Sequence, residues 1–202
     1  MTRAGMDPLK SLTIALDCLL RRIKGIREYS DDPQCIYRLS LGAARRNMLL
    51  PDGSCIRRGT RVGRLHLWSE HMPPIPPSGA DLAWATRTLR AARGSLNLLA
   101  DHVSRNPGLA RVTAFGTDDF FAAAPSSDRV LRRIGFEVAE EPAPESRPAR
   151  LALAVTRLWA WLLRRAFNPQ SAAGLRPRDL HRRHVWLVRS VLLERYGSRK
   201  DG

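Results

Sequence analysis

The sequence is poor in cysteine, aromatic residues and lysine, and the shortage of cysteine excludes two classes of site. Its three cysteines, Cys18, Cys35 and Cys55, lie 17 and 20 residues apart and form no CxxC pair. An odd number of cysteines does not suit a disulfide framework, and a structural zinc site is typically built from CxxC pairs. We therefore expect no metal ion and a reducing, cytoplasmic compartment.

Long apolar runs are missing as well. No stretch approaches the roughly 18 consecutive apolar residues of a membrane span. The apolar segment 12–16 is interrupted by Asp17 and lacks a small-residue cleavage site, so it is not a secretory signal. We expect a cytoplasmic protein, with peripheral attachment to a membrane left open.

The sequence also lacks the common catalytic motifs. It contains no GxSxG, Walker A, GxGxxG or HExxH pattern, each of which positions a nucleophile, a phosphate or a metal by fixed spacing. His181 and His184 share one face of a predicted helix, but Asp179 is their only nearby carboxylate. Arginines stand between the two histidines, so we expect surface residues here. These absences lower the expectation of an enzyme without excluding one.

Positive charge is abundant. The chain has 34 basic and 19 acidic residues, a net charge of +15. Residues 150–202 alone hold 12 basic and 3 acidic residues. Such an excess favours anionic partners: nucleic acid, anionic lipid headgroups or phosphorylated small molecules. The alternative is an arginine-rich surface that is only solvated, and the composition leaves the oligomeric state open.

Hydrophobic periodicity predicts an α+β fold with a mixed sheet. Apolar residues recur at helical spacing over 80–105, between predicted strands at 64–69 and 109–115. This order predicts a central βαβ unit with parallel strands and a right-handed crossover. The other predicted elements are an N-terminal helix at 8–28, antiparallel strands at 35–41, 47–50 and 54–57, a helix at 128–134 and a strand at 135–138.

Composition predicts three parts in the chain. Residues 142–149 contain three prolines, which is typical of a linker. Residues 1–141 before it form the predicted α+β core domain. Residues 150–202 after it form a basic helical segment, a pair of helices at 151–167 and 179–196 that packs on the core.

The carboxyl ends of the two parallel strands form a predicted ligand crevice, as in other open α/β sheets. The helix that starts after Pro77 adds an N-terminus able to bind an anion. The alternative is that Thr117 or Asp118 caps the next helix and that Glu70 faces solvent. The catalytic candidates are Glu70, His71 and Asp118, and the predicted ligand-binding residues are Ser69, Ser78, Gly79, Gly116 and Thr117.

Arginine and tryptophan occur together in the predicted C-terminal helices. Arg157, Arg164 and Arg165 accompany Trp159 and Trp161 and form a predicted anion-binding surface, because such helices suit an anionic membrane interface. The alternative is an ordinary helix pair whose apolar side docks on the sheet. Nucleic acid is disfavoured, since aromatic residues are few and no recognition helix is identifiable.

Five short segments of the chain are distinctive. They are GTRVGRLHLW at 59–68, GSLxxLA at 94–100, RLW at 157–159, NP at 168–169, and Trp186 with ERYG at 194–197. Together they resemble the bacterial YkoP-like domain family over most of the chain from about residue 35. Members occur alone or behind polysaccharide deacetylase domains, with no established activity. The resemblance implies an accessory role near envelope glycan or lipid metabolism and supplies no catalytic residues.

The order of predicted elements, ending in Ile134-Gly135-Phe136, also resembles the layout of GCN5-related acyltransferases. That resemblance implies acyl-coenzyme A, whose pyrophosphate is held by backbone amides of a glycine-containing loop after the central strand. Here the same place holds four prolines within 73–77, and proline has no N–H to donate. Only Gly79 and the following helix start could still serve the anion.

These observations lead to one leading function and two alternatives. We predict an uncharacterised YkoP-like protein that acts as a non-catalytic accessory factor and has no cofactor. The first alternative is an acyltransferase-like enzyme that uses acyl-coenzyme A. The second is a protein that binds nucleic acid or an anionic membrane surface.

Overall fold

The computed structural model describes residues 8–50, 53, 55–122, 126–140 and 144–197. They form an α+β fold, which confirms the predicted class. The helices are α1 (Pro8–Ile23), α2 (Leu82–Arg105), α3 (Ser126–Arg133), α4 (Arg147–Phe167), α5 (Pro169–Ala172) and α6 (Arg189–Tyr196). The strands are β1 (Tyr37–Ala43), β2 (Met48–Leu49), β3 (Cys55–Ile56), β4 (Arg61–Leu67), β5 (Ala114–Ala122), β6 (Glu137–Glu140) and β7 (His181–Val188).

Five strands form one mixed sheet in the order β1-β4-β5-β7-β6, and β2 and β3 form a separate hairpin. β4 and β5 are parallel, and the other neighbours in the sheet are antiparallel. The predicted βαβ unit is confirmed as β4, α2 and β5. The predicted N-terminal helix is confirmed as α1, which ends five residues earlier than predicted, before Gly25 with its positive φ of 60°.

One face of the sheet packs against α2 and forms the main core. The apolar side of α2 contributes Leu96, Leu99 and Ala100, which are fully buried against Leu65 and Phe115 of the sheet. The helix begins after Asp81, whose carboxylate accepts a hydrogen bond from the backbone N–H of Trp84 at 2.6 Å. A carboxylate at this position satisfies one of the free N–H groups of a helix start.

The predicted strand at 109–115 is wrong by several residues, because β5 spans Ala114–Ala122. Leu109 and Val112 are buried, but they lie in a 3₁₀ turn and a loop rather than in a strand. The polar run Gly116–Asp119 has the composition of a loop, yet Gly116 and Thr117 pair with β7, and Asp118 and Asp119 form an irregularity within the same strand. Tertiary contacts to β7 and to buried polar partners outweigh the local preference here.

The predicted helix at 179–196 is also wrong, so the predicted basic helical pair consists of only one long helix, α4. Residues 181–188 form β7, which lies between β5 and β6, and only 189–196 are helical. His181 and His184 therefore lie in a strand and do not share a helical face. The segment 184–187 is buried on both sides, and such a central strand carries an apolar run that periodicity alone assigns equally to a helix.

The helix α4 begins at Arg147, where the side chain of Ser146 accepts a hydrogen bond from the backbone N–H of Ala149 at 3.3 Å. Residues 147–149, predicted as the end of the linker, are thus its first turn. Residues 142 and 143 lie outside the described residues. α4 packs against α1 and against the 3₁₀ turn at Pro177–Asp179.

Candidate functional site on the polar face of the sheet

The face of the sheet opposite α2 carries a layer of buried polar side chains. Alternate positions of a strand share one face, so Arg38 and Ser40 of β1 lie beside His66 and Arg64 of β4. Asp118 of β5 and His184 of β7 extend the layer across the sheet. Arg38, Ser40, Asp118 and His184 are each at most 8% exposed. We call these six residues the polar layer.

Asp118 is the anionic centre of the polar layer. Its carboxylate lies 3.4 Å from Nδ1 of His184 and 3.8 Å from a guanidinium nitrogen of Arg64. It also accepts a hydrogen bond from the indole N–H of Trp186 at 3.3 Å. Burial raises the pKa of Asp118. The hydrogen bond and charge of His184 and the charges of Arg64 and Arg46 together lower it by more, so the net pKa lies below the usual value of an aspartate.

The imidazole of His184 connects Asp118 to the loop before β2. The guanidinium of Arg46 in that loop contacts the His184 ring and donates to one of its nitrogens. Nδ1 of His184 faces the carboxylate of Asp118 and its Nε2 faces the guanidinium of Arg46, so a proton on Nδ1 can be donated to Asp118. This arrangement holds the hairpin segment over the sheet.

Ser40 and His66 form a second pair within the polar layer. The hydroxyl of Ser40 lies 2.9 Å from Nε2 of His66. Burial, together with the charges of Lys24 and Arg64, lowers the pKa of His66 to about 4. The ring is therefore neutral at physiological pH, and a neutral ring can accept a proton or a hydrogen bond.

Glu70, a predicted catalytic residue, is held by two arginines. Its carboxylate lies 3.2 Å from Arg21 of α1 and 3.5 Å from Arg38 of the polar layer. Arg38 also pairs with Glu28 at 3.2 Å. Glu70 therefore ties α1 to β1, and its carboxylate is already engaged on both sides.

His71, the second predicted catalytic residue, is held by its ring. Its Nδ1 donates a hydrogen bond to the backbone carbonyl of Cys35 at 2.9 Å. The His71 ring stacks on Trp68 with 3.7 Å between the ring centroids. The guanidinium of Arg38 lies 4.1 Å from the centroid of the Trp68 ring. Ser69 belongs to the same 3₁₀ turn, Ser69–His71. These contacts position the chain where it leaves β4.

The structure separates the predicted catalytic residues into two groups. Glu70 and His71 contact α1, β1 and the segment before it, whereas Asp118 contacts Arg64, His184 and Trp186. Gly116 and Thr117 lie inside β5 and not at its end. A Cβ atom on Gly116 would lie 2.0 Å from the carbonyl oxygen of Val185, so this glycine is required for close packing.

β4 and β5 nevertheless separate within the sheet. They pair only at Gly63 with Phe115 and at Arg64 with Gly116. Beyond these positions β4 continues to pair with β1, and β5 continues to pair with β7. His66 and Asp118 lie two residues beyond the last pair, one on each strand. The carboxyl ends of parallel strands are a common place for ligands, and this opening is the corresponding place here.

The start of α2 is poorly suited to an anion. Ser78 and Gly79 lie in a turn ahead of Asp81, in which the N–H of Gly79 donates to the carbonyl of Pro76 at 2.9 Å. The residue that caps the helix is Asp81. Its carboxylate would repel a pyrophosphate at this helix end.

The predicted anion-binding arginines of α4 do not share one surface. Arg164 points inward and donates a hydrogen bond to the carbonyl of Phe121 at 2.5 Å, and burial lowers its pKa. Arg157 is half-buried, with its Nε atom enclosed. Arg165 is exposed, and its guanidinium lies 5.5 Å from the ring centroid of Trp161.

Five of the six polar-layer residues were missed in the sequence. The signal is a polar side chain at alternate positions of an otherwise apolar strand, as in Arg38 and Ser40 or in Arg64 and His66. This pattern is usually interpreted as a solvated face. Here that face is covered, which the sequence pattern does not reveal.

Metal binding and membrane spanning receive no support from the described residues. Among them, no group of three or more histidine, cysteine, aspartate or glutamate side chains could hold a metal ion. Across the same part of the chain, no helix is long and apolar enough to cross a bilayer. The cysteines are free, with Cys18 and Cys55 exposed and Cys35 buried.

Comparison with known families decides the identity of the domain. The family model of the YkoP domain matches residues 11–196, a range that contains the whole sheet and the polar layer. The chain belongs to the YkoP domain family. Searches of curated proteins and of solved structures each found no match.

The motifs that carry the YkoP resemblance have structural roles. In the first, Gly63 leaves room for the ring of Phe115, which would lie 2.4 Å from an added Cβ atom. In the second, the hydroxyl of Ser95 accepts a hydrogen bond from the N–H of Ile36 at 2.9 Å. In the last, Trp186 is fully buried, and the hydroxyl of Tyr196 donates to the carbonyl of Ile134 at 2.9 Å. These motifs of the YkoP domain specify its packing.

Proposed function

We propose that this YkoP-domain protein is a non-catalytic accessory factor of envelope glycan or lipid metabolism that binds an anionic envelope component from the cytoplasmic side. The observation that carries the proposal is the uncompensated charge of α4. This helix has five arginines and no acidic residue, and three of the arginines, Arg147, Arg150 and Arg165, are exposed. Its arginines form no ion pair with a carboxylate among the described residues. Such a surface favours an anionic partner.

The three predicted catalytic residues are each engaged by contacts within the fold, which supports positioning rather than catalysis. Glu70 is held between Arg21 and Arg38, and the ring of His71 is committed to a backbone carbonyl. Asp118 is likewise engaged by Arg64, His184 and Trp186. A general base must reach the proton that it removes, and these groups are occupied by contacts within the fold.

Direct binding tests this proposal. The purified protein is titrated with a soluble anionic polysaccharide and with phosphatidylglycerol vesicles at about 0.15 M salt, where screening removes weak surface attraction. We expect binding to at least one of them, and weaker binding to duplex DNA. Absence of binding to both the polysaccharide and the vesicles contradicts the proposal. Tighter binding to DNA with a steep salt dependence also contradicts it.

A thermal-shift titration tests the enzymatic alternative. Acetyl- and longer acyl-coenzyme A are compared with ADP and heparin as anionic controls. We expect shifts of similar size that disappear in moderate salt, because the coenzyme then reports only the basic surface. Stabilisation by acyl-coenzyme A alone that survives the salt supports an acyltransferase instead.

A further inference from the structure

The helices α1 and α4 expose an unusually large share of apolar side chains. Of the 13 large hydrophobic residues that are exposed in the described part of the chain, eight lie on these two helices. Ile23 and Leu151 are 71% and 67% exposed. Scattered exposed leucines are ordinary, but a concentration on neighbouring elements marks an interaction surface. The eight residues, here called the apolar face, are Leu9, Leu12, Leu16, Leu19, Ile23, Leu151, Val155 and Leu158.

The spacing places these residues in one stripe on each helix. The five positions on α1 follow one another at intervals of three and four residues, as do the three on α4, and this spacing keeps side chains on one side of a helix. A different side of α1 turns inward, because it carries Asp17 and Arg21, which pair with each other at 3.1 Å, and Arg21 also reaches Glu70 at 3.2 Å. On α4 the buried Leu153 likewise lies outside the stripe, so the apolar face is additional to the side that each helix uses for folding.

The two stripes meet in the groove between the helices. The groove is lined by Leu9 and Thr13 from α1 and by Leu162 and Ala166 from α4. Leu162 continues the α4 stripe four residues beyond Leu158. The start of α1 therefore lies beside the end of α4. Their stripes form one continuous surface at this end.

Positive charge borders the apolar face. Lys10, Arg22 and Lys24 are exposed on or just after α1, and Arg150 and Arg165 are exposed on α4. The single acidic residue of α1, Asp17, is paired with Arg21 at 3.1 Å. The border is therefore cationic, which matches anionic headgroups. A second copy of the chain would bring like charges together and is disfavoured.

From this complementarity we propose that the apolar face is a docking surface for an anionic lipid bilayer. The two helices lie in the plane of the interface, where leucine side chains enter the acyl boundary and the bordering arginines and lysines meet the headgroups. This mode needs no spanning helix. The inference rests on the proposed function and names its partner as lipid rather than soluble glycan.

Vesicle co-sedimentation with the full chain tests the docking surface. Vesicles of phosphatidylglycerol and phosphatidylcholine are compared with vesicles of phosphatidylcholine alone at about 0.15 M salt. We expect binding to the anionic vesicles and a loss of about tenfold or more in the double variant L12Q/L151Q. The matched control is Leu82→Gln, since Leu82 is 83% exposed but lies at the start of α2. We expect this control to bind like the wild type.

The charge border is tested separately. The double variant R150Q/R165Q is expected to lose binding to anionic vesicles, whereas Arg105→Gln on α2 is expected to retain it. Arg105 is the control because it is an exposed arginine outside α1 and α4, with 80% of its side chain accessible. Because all substituted residues are exposed, we expect unchanged melting temperatures, which excludes unfolding as the cause.

Four results overturn the docking surface. The first is equal vesicle binding by the wild type and L12Q/L151Q. The second is a wild-type dimer, seen by analytical ultracentrifugation without lipid, that L12Q/L151Q abolishes. The third is binding to anionic polysaccharide but not to vesicles, which refutes this inference and leaves the proposed function standing. Binding to neither ligand refutes both.

Discussion

The carboxylate of Asp118 on β5 accepts a hydrogen bond from the indole N–H of Trp186 on β7 at 3.3 Å, although 68 positions separate the two residues in the chain. The bond joins the polar layer to the apolar cluster that contains Trp186, Ile56 of the hairpin and Val62 of β4. A buried carboxylate with this many partners is stabilising only while each of them is present. The first prediction follows from this dependence.

We expect Asp118→Asn to lower the free energy of unfolding by about 1–3 kcal/mol, because the buried partners of the carboxylate lose their counter-charge. Denaturant unfolding measures the change. The matched control is Asp119→Asn, whose side chain is 41% exposed and pairs with Arg182 at 3.3 Å. An exposed pair contributes about 0–1 kcal/mol. Equal losses in the two variants contradict a central role of Asp118.

The lowered pKa of the same carboxylate predicts a loss of folding stability at low pH. The folded pKa of Asp118 is lowered, so its stabilisation is present above the unfolded value of about 3.9 and is lost as the pH falls through the folded value. We expect the wild type to lose more stability than Asp118→Asn over that low-pH range. Identical slopes in unfolding experiments between pH 4 and 2 refute this.

The lowered pKa of His66 predicts a second loss of folding stability, at higher pH than that of Asp118. Its folded pKa of about 4 lies below the unfolded value of about 6.5. The unfolded state therefore binds a proton first, and stability falls as the pH drops from about 6.5 to 4, by up to about 3 kcal/mol. We expect His66→Gln to flatten this limb, whereas His181→Gln, at an exposed position, leaves it unchanged. Unfolding free energies measured across this range decide the outcome.

Two glycines are expected to respond in opposite directions to alanine. At Gly116 a Cβ atom would lie 2.0 Å from the backbone oxygen of Val185, whereas at Gly94 no atom lies within 4 Å. We expect Gly116→Ala to destabilise by several kcal/mol, since β5 and β7 must move apart. Gly94→Ala in the interior of α2 should stabilise by about 1 kcal/mol. Melting temperatures of the two variants test the pair, and a stable Gly116→Ala protein contradicts the close packing.

Ser95 is expected to matter for joining α2 to the segment before β1. Its hydroxyl accepts from the N–H of Ile36 at 2.9 Å and donates to the carbonyl of Ala91 at 2.7 Å. We expect Ser95→Ala to cost about 1–3 kcal/mol, because a buried N–H loses its acceptor. Ser104→Ala, at an exposed position of the same helix, should change stability little. Hydrogen exchange of the Ile36 amide distinguishes this loss from a general loosening, since only the former raises exchange there selectively.

Local periodicity determined much of the fold without tertiary information. The long helix α2, the interior strand β4 and the parallel βαβ arrangement follow from the spacing of apolar residues and from right-handed crossover geometry. Composition likewise indicated the basic character of residues 150–202. These features depend on neighbours in the chain, so they are visible in the sequence.

Tertiary structure alone decided β7 and the polar layer. His181–Val188 has an apolar run that suits a buried helix as well as a strand, and its place between β5 and β6 selects the strand. Gly116–Asp118 has the composition of a loop, and the packing of Val185 and the buried partners of Asp118 make it part of β5. Whether a polar side chain is solvated or buried depends on elements far away in the chain. The sequence by itself therefore determined the periodic elements and the net charge, and the tertiary structure decided which charges face each other.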